Sequence, residues 1–291
     1  MPELPEVETI KQDLRKQILR KKIKSVLIRK PKLIKSNKKE FVKVLLNSKF
    51  QEIDRIGKLM IFKIVETRHG VSLQSQFLLI HLKMTGQLIY QDKKNIIAGG
   101  HMNIKDQLPG KQTHIIFEFQ DGTKLFFNDQ RQFGYMKVVD TKELEKVKEK
   151  FGIEPLTPSF TWQNFNKILQ NRKTSIKAVI LNQKLIAGLG NIYADEALFL
   201  AGIRPDKKVN FLLLPEKKKL FSVINPLFKK AIKYRGTTFN NYVDSKGEKG
   251  NFSRVLKVFH RDGQKCCRCG ALIKKSRVAG RGTHYCPFCQ K

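Results

Sequence analysis

Residues 114–129 read HIIFEFQ-DG-TKLFFND, and this stretch decides the fold. Two runs rich in Ile, Phe and Leu, with stretches of period-2 alternation, flank Asp121-Gly122. That dipeptide asks for a type I′ turn between two antiparallel strands. Working outward, Lys24–Lys30, Phe50–Glu66 and Leu78–Gln91 carry the same strand chemistry, so residues 23 to 139 read mostly as strands. Several such segments in succession predict an antiparallel β-sandwich. Between them, 91–110 (QDKKNIIAGGHMNIKDQLPG) is polar and contains glycine, and reads as a long loop.

Helical periodicity brackets this region. Before it, Val7, Ile10, Leu14 and Ile18 recur at helix spacing behind Pro5, with Glu6 in the first turn and Arg20–Lys22 at the end. After it, TKELEKVKEKFG (141–152) is a charged amphipathic stretch, and IEPLTPS (153–159) is a proline-marked linker. Trp162, Phe165, Ile168 and Leu169 share one helix face. Ile176–Asn182 forms a short helix, Ala187–Gly190 breaks it, and Asn191–Ala201 starts the next. Leu220–Ile232 has a strong apolar face that Pro226 should kink or divide in two. Residues 237–253 are polar with scattered glycines and read as a flexible loop.

Five cysteines all fall between Cys266 and Cys289. Cys266-x₂-Cys269, sixteen residues, then Cys286-x₂-Cys289 is the spacing of a zinc ribbon, each pair supplying half of a tetrahedral thiolate site. One structural Zn²⁺ is expected, because four thiolates leave no open position for water and so short a segment buries little core. Cys267 cannot easily join the tetrahedron beside Cys266, and His284 is a weaker alternative ligand. Lys and Arg total 58 against 25 Asp and Glu, a formal charge of +33. Such a charge repels itself unless a polyanion is the partner, which points to nucleic acid. The basic residues are spread through the chain, and no apolar run approaches the ~18 residues of a membrane span. A soluble cytoplasmic protein with no membrane partner is expected.

The first ten residues, MPELPEVETI, launch a helix with Pro2 and Pro5 and also offer a candidate nucleophile. A small second residue lets the initiator Met be removed, leaving the secondary amine of Pro2 next to the carboxyl of Glu3. An α-amino group titrates at about 7.7–8.0, so part of it is neutral in the cytosol. A neutral amine attacks an aldehyde carbon to form a Schiff base. Glu3 and Glu6 are the nearby candidates for moving protons. Farther along, Gly188 and Gly190 precede the helix starting at Asn191, an arrangement that lets backbone N–H groups approach a phosphate.

Several of these stretches together resemble the bacterial formamidopyrimidine-DNA glycosylases, almost from end to end. MPELPEVET resembles the family's opening, where the proline amine attacks C1′ of the damaged nucleotide. KAVILNQKLIAGLGNIYADEALFLAGIRP (177–205) resembles its helix–two-turn–helix, and AGRGTHYC (279–286) its finger. The resemblance implies that Arg281 at the hairpin tip and Lys58 in RIGKLMIF contact phosphate near the lesion. It gives Asn191, Arg172 and Lys177 roles facing DNA. HLKMTG (81–86) and NDQRQFG (128–134) resemble the segments whose inserted residues fill the hole left by a flipped nucleotide, here Met84, Arg131 and Phe133. Five departures stand out, one of them a 91–110 loop longer than usual. Lys83 replaces a glycine, Gln112 stands where a histidine contacts DNA, His260 replaces a glycine and Lys265 a proline.

The resemblance implies an α+β multidomain chain. A β-sandwich catalytic domain with its leading helix would span 1–140. A helix–two-turn–helix domain with a lesion loop at 237–253 would span 141–255, and a zinc-finger hairpin 256–291. The partner implied is damaged double-stranded DNA in the cleft, bound by a monomer. Pro2 would expel an oxidised purine, 8-oxoguanine or a formamidopyrimidine, with Glu3 moving a proton to the sugar, and β- and δ-elimination would cut the strand. Two other readings stay open: an endonuclease VIII-like enzyme for oxidised pyrimidines, which Leu4 weighs against, and a silent zinc-ribbon DNA-binding protein.

Overall fold

The computed structural model describes residues 1–66, 75–92, 108–237 and 251–291, with the backbone of 96–99. The chain forms two compact units. One comprises residues up to Glu149 and the segment returning from Arg235; the other comprises Lys150–Tyr234 and Phe252–Lys291.

In the first unit, α1 (Leu4–Ile18) precedes two antiparallel sheets. The five-stranded sheet runs in the order β1 (Ile23–Ile28), β7 (Thr113–Phe119), β8 (Lys124–Asp129), β5 (Gly86–Gln91), β6 (Ile96–Gly99). The four-stranded sheet runs β2 (Ser48–Ile56), β3 (Leu59–Glu66), β4 (Gln76–His81), β9 (Tyr135–Asp140). Ile23, Leu88, Phe117 and Phe127 from one sheet share a core with Phe50, Phe62, Ile80 and Met136 from the other. Val7, Ile10, Leu14 and Ile18 of α1 add to that core, as their spacing predicts. Truncating one of these buried phenylalanines to alanine would cost about 3–5 kcal/mol.

The expected sandwich is present, but several strand readings need correction. Phe50–Glu66 is a hairpin, turned at Gly57-Lys58 between Ile56 and Leu59. Gly57 has φ +55 and Lys58 does not share it, the φ signature of a two-residue turn led by glycine. Leu78–Gln91 is two strands in different sheets, because the chain crosses over at 82–85. The turn at Asp121-Gly122 is not type I′, which needs positive φ at both central residues; only Gly122 has it, at +82. Instead Gly122 N–H donates to Phe119 O (3.0 Å) and Phe119 N–H to Thr123 O (2.9 Å), enclosing a three-residue loop with a glycine bulge. The Asp121 carboxylate stabilises that form by accepting from Thr123 N (3.0 Å) and Oγ1 (2.6 Å) and pairing with Lys21 (2.7 Å).

Within 91–110, Ile96–Gly99 is strand β6, which pairs with the otherwise open edge of β5. Residues 93–95 and 100–107 lie outside the described residues. Also unforeseen is α2 (Lys38–Leu45), capped by Asn37, whose Oδ1 accepts from Lys39 N (3.0 Å) and Glu40 N (3.2 Å). The charged stretch from Thr141 forms α3 (Thr141–Lys148).

The second unit contains α4 (Trp162–Leu169), α5 (Ile176–Leu181), α6 (Asn191–Ala201) and α7 (Leu214–Lys233), then the hairpin β10 (Lys274–Val278) and β11 (Arg281–Tyr285). Contrary to a division at Pro226, α7 is one helix that starts at Leu214. Its buried Leu220, Ile224, Leu227, Phe228 and Ala231 lie on both sides of the proline, and their packing outweighs one missing hydrogen bond. Most of the 237–253 loop, 238–250, lies outside the described residues.

Candidate active site and nucleic-acid interface

Pro2 and Glu3 lie immediately ahead of α1. Glu3 is only 3% exposed and Met1 is 46% exposed. Glu3 is the N-cap and forms a reciprocal capping box with Glu6, its own N–H donating to Glu6 Oε2 at 2.9 Å. Glu6 Oε1 also accepts from Thr237 N (2.7 Å) and Thr237 Oγ1 (3.0 Å). Gly236, at φ +82, approaches so closely that a Cβ there would lie 2.7 Å from Glu6 Oε1. Arg235 adds an ion pair with Asp13 at 2.5 Å. Glu6 is thus an anchor for the returning segment, and Glu3 is the carboxyl placed beside Pro2.

Lys58 lies in the β2–β3 turn and is only 6% exposed, so it is not the solvated lysine that a strand start normally carries. His81, at the end of β4, is a site residue that sequence reasoning missed. Burial, with the charges of Lys83 and Lys58, pushes its pKa down to about 3. Lys83 N–H donates to His81 Nδ1 at 3.0 Å, which puts the proton of the neutral ring on Nε2.

The three proposed hole-filling residues come together. Met84 and Phe133 are 40% and 53% exposed, unusual for side chains of this type. Arg131 Nη1 lies 3.2 Å from Met84 Sδ, and its guanidinium lies 4.8 Å over the Phe133 ring. Gln112 is exposed, and its carbonyl accepts from Asp129 N at 2.9 Å. Lys83 and His260 adopt glycine-like backbones at φ +51 and +56. Each bears a strain of roughly 1–2 kcal/mol.

In the second unit, Asn191 begins α6 and its Nδ2 donates to Gly282 O at 2.9 Å, next to Arg281. Arg281 is exposed and follows Ala279-Gly280, both at positive φ (+52 and +71) between the paired Val278 and Arg281. The type I′ turn is therefore here, at the hairpin tip. Arg172 is half-buried, and its Nε donates to Ile168 O at 2.5 Å, capping α4.

Lys177 corrects the expectation of a DNA-facing residue. It is fully buried, pairs with Asp195 Oδ1 at 2.6 Å and donates to Thr283 Oγ1 (2.8 Å) and Gly282 O (3.3 Å). A side chain with no exposed surface cannot touch a phosphate in this conformation; it holds the strand behind Arg281 instead. Asp195 Oδ2 accepts from His284 N at 2.8 Å. Glu196, also buried, accepts from the N–H groups of Lys257, Val258 and Phe259 at 2.9–3.0 Å, and burial raises its pKa. The signal for these two was present: adjacent acids in an otherwise apolar helix need partners.

The Sγ atoms of Cys266, Cys269, Cys286 and Cys289 lie within 4.8 Å of one another, and Cys267 is outside the group. Cys266–Cys289 and Cys269–Cys286 are 3.9 and 3.5 Å apart. A tetrahedron with Zn–S bonds of ~2.3 Å has edges of roughly 3.8 Å, so the four sulfurs fit one zinc ion. Arg268 N and Cys289 N each donate to a ligand sulfur at 3.4 Å, the hydrogen bonding a thiolate needs. Cys266, Cys286, Ile273 and Val258 pack around Phe199 of α6, so the finger shares a small core with that helix.

The chain matches three family models: the formamidopyrimidine-DNA glycosylase N-terminal domain (residues 1–136), its H2TH domain (151–243) and the zinc finger found in FPG and IleRS (263–291). It is 39% identical to formamidopyrimidine-DNA glycosylase of Desulfitobacterium hafniense and 37% to that of Listeria monocytogenes serovar 1/2a, covering 100% of each chain. It resembles the Lactococcus lactis Fpg in complex with abasic-site DNA, with a TM-score of 0.86, 34% identity and 99% of both chains covered. The Lactococcus protein bound to DNA containing an oxidised pyrimidine gives a TM-score of 0.85 at 34% identity, covering 100% of both chains. With models matching all three segments and relatives this similar over their whole length, the chain belongs to the formamidopyrimidine-DNA glycosylase family of base-excision-repair enzymes.

Proposed function

We propose that this chain is a bifunctional DNA glycosylase and AP lyase that removes oxidised purines from duplex DNA through the Pro2 amine. The observation that carries this reading is the buried Glu3 carboxyl directly beside Pro2, with Glu6 held in a separate structural role. After removal of Met1, the Pro2 nitrogen attacks C1′, and the electrons of the glycosidic bond leave with the base. Glu3 carries the N–H proton of the attacking amine to O4′, the ring opens as C1′–O4′ breaks, an iminium links Pro2 to C1′, and the expelled base takes a proton from water. The iminium acidifies the C2′ proton; its loss breaks C3′–O3′, and a second elimination breaks C5′–O5′. Met84, Arg131 and Phe133 fill the vacated stack, with Gln112 beside them. Lys58, Arg281, Asn191 and Arg172 meet phosphates, and Lys177 acts indirectly through Gly282 and Thr283.

Catalysis belongs to 1–140 in this reading, phosphate binding to 141–255 and the zinc finger to 256–291, in a protein that works as a cytoplasmic monomer. When bound, zinc supplies only a fixed scaffold for the finger. The opening PELPE favours purine lesions. The Lactococcus complex with an oxidised pyrimidine is reason to assay both classes.

The Glu3→Gln variant tests the division of labour. It keeps the amine and the shape but removes the exchangeable proton, so excision of 8-oxoguanine should fall by the ~10²–10⁴ typical of general acid–base groups. A preformed abasic site already offers an aldehyde, and single-turnover cleavage there should survive much better. Equal losses on the two substrates would remove Glu3 from base expulsion.

A further inference from the structure

The two loops that carry Met84, Arg131 and Phe133 come from different sheets. Leu82–Thr85 links β4 to β5, and Gln130–Gly134 links β8 to β9. Each contains a non-glycine residue at positive φ, Lys83 at +51 and Gln132 at +55, so neither has a relaxed backbone. Exposed Met84 and Phe133 gain nothing from solvent, so the loops need another reason to hold this shape.

Asp129 supplies it. The residue is fully buried at the end of β8. Its Oδ1 accepts from the Thr85 hydroxyl in one loop and from Arg131 N (3.2 Å) in the other. Its Oδ2 accepts from Gly134 N at 2.7 Å, and Thr85 Oγ1 itself accepts from Arg131 N at 3.0 Å. A Cβ at Gly134 would lie 3.0 Å from Asp129 Oδ2 and 2.8 Å from Phe127 Cζ, so glycine there lets the backbone close onto the carboxylate. The Asp129 main chain is tied as well: its N–H donates to Gln112 O at 2.9 Å, and its carbonyl lies 2.8 Å from His114 Nε2. One carboxylate thus joins the two loops bearing Met84, Arg131 and Phe133, and the Asp129 main chain ties in the segment of Gln112.

We propose that Asp129 is a positioning residue, a clasp that assembles Met84, Arg131 and Phe133 into one hole-filling wedge before DNA arrives. This rests on the wedge role assigned to those three side chains. Asp129 touches neither substrate nor the reacting atoms, so its effect should appear only where a stack must be filled.

The test compares Asp129→Asn, Thr85→Val and Met84→Ala with the parent, each first checked for an unchanged unfolding midpoint. Two substrates are used: 8-oxoguanine paired with cytosine in a duplex, and a single-stranded oligonucleotide with a preformed abasic site, where no opposite base needs a wedge. Asparagine has only one acceptor oxygen for donors that converge on both sides. Misplacing the wedge should lower duplex excision by about ten- to a hundredfold, as small misalignments do. Cleavage of the single strand should stay within about threefold, since no hole is filled there. Thr85→Val should show the same selective loss, smaller, and it decides the matter if Asp129→Asn fails to fold. A selective loss in Met84→Ala with none in the clasp variants would overturn the clasp alone. No selective loss in Met84→Ala would overturn the wedge reading and the clasp with it. Equal losses on both substrates in the clasp variants would make Asp129 merely structural.

Discussion

A single imidazole shows how burial and neighbouring charge set a site's chemistry. His81 combines partial burial with the positive fields of Lys83 and Lys58, and all three push its pKa the same way, to about 3. Its folded-state pKa therefore lies far below the value of about 6.5 in an unfolded chain. The unfolded chain takes up a proton that the folded protein refuses, so His81 costs stability progressively as pH falls from about 6.5 toward 3. Above pH 7 the cost vanishes. Ring nitrogen shifts followed by NMR in the free protein should show a neutral imidazole, protonated at Nε2, throughout pH 5–8. A ring titrating near 6.5 would contradict this, and His81→Asn should flatten the acid limb of the stability curve. The sequence offered HLKMTG for its methionine alone. The histidine was not legible, because its role depends on a register that brings His81 opposite Leu59, next to Lys58.

At the scale of elements, legibility followed how local the information is. Helix α6 was read to the residue, since a glycine break and an apolar run define both its ends. The turn chemistry was read less well. Asp121-Gly122 has the dipeptide of a type I′ turn but takes a three-residue form because Asp121 bonds Thr123 and Lys21. The type I′ turn lies at Ala279-Gly280, a pair with weaker local preference, where the hairpin pairing from Lys274 to Tyr285 imposes it. One zinc ion on the four thiolates would hold that hairpin in place. Chelation should abolish DNA binding while the thermal transition of the sandwich unit survives. Cys269→Ser should reproduce that loss. Cys267→Ser should keep one zinc per chain, measured by metal analysis, and full activity; loss of zinc in that variant would overturn the ligand set.

For the whole molecule, the formal charge of +33 was legible at once, but not which of the 58 basic residues act on DNA. Lys177 shows why: its sequence neighbourhood suited a DNA contact, whereas the structure buries it against Asp195. Each phosphate neutralised by a side chain steepens the salt dependence of binding by about 0.9 in log–log slope. Removing Lys58 or Arg281 should therefore each flatten that slope by about one, and Lys177→Met should weaken binding through the loss of Arg281 positioning, without its own phosphate's share of the slope. Titrating affinity against salt for the three variants checks this, and a further full unit lost when Lys177→Met is added to the Arg281 variant would restore Lys177 as a direct contact.

Chemistry that passes through the amine of Pro2 leaves a trappable covalent intermediate. The protein, with intact mass confirming removal of Met1, is incubated with a duplex containing 8-oxoguanine opposite cytosine in the presence of borohydride. The reduced adduct is digested and mapped by mass spectrometry. One covalent link is expected, from C1′ of the former lesion to the nitrogen of Pro2. A link to Lys58 or any other lysine would contradict it.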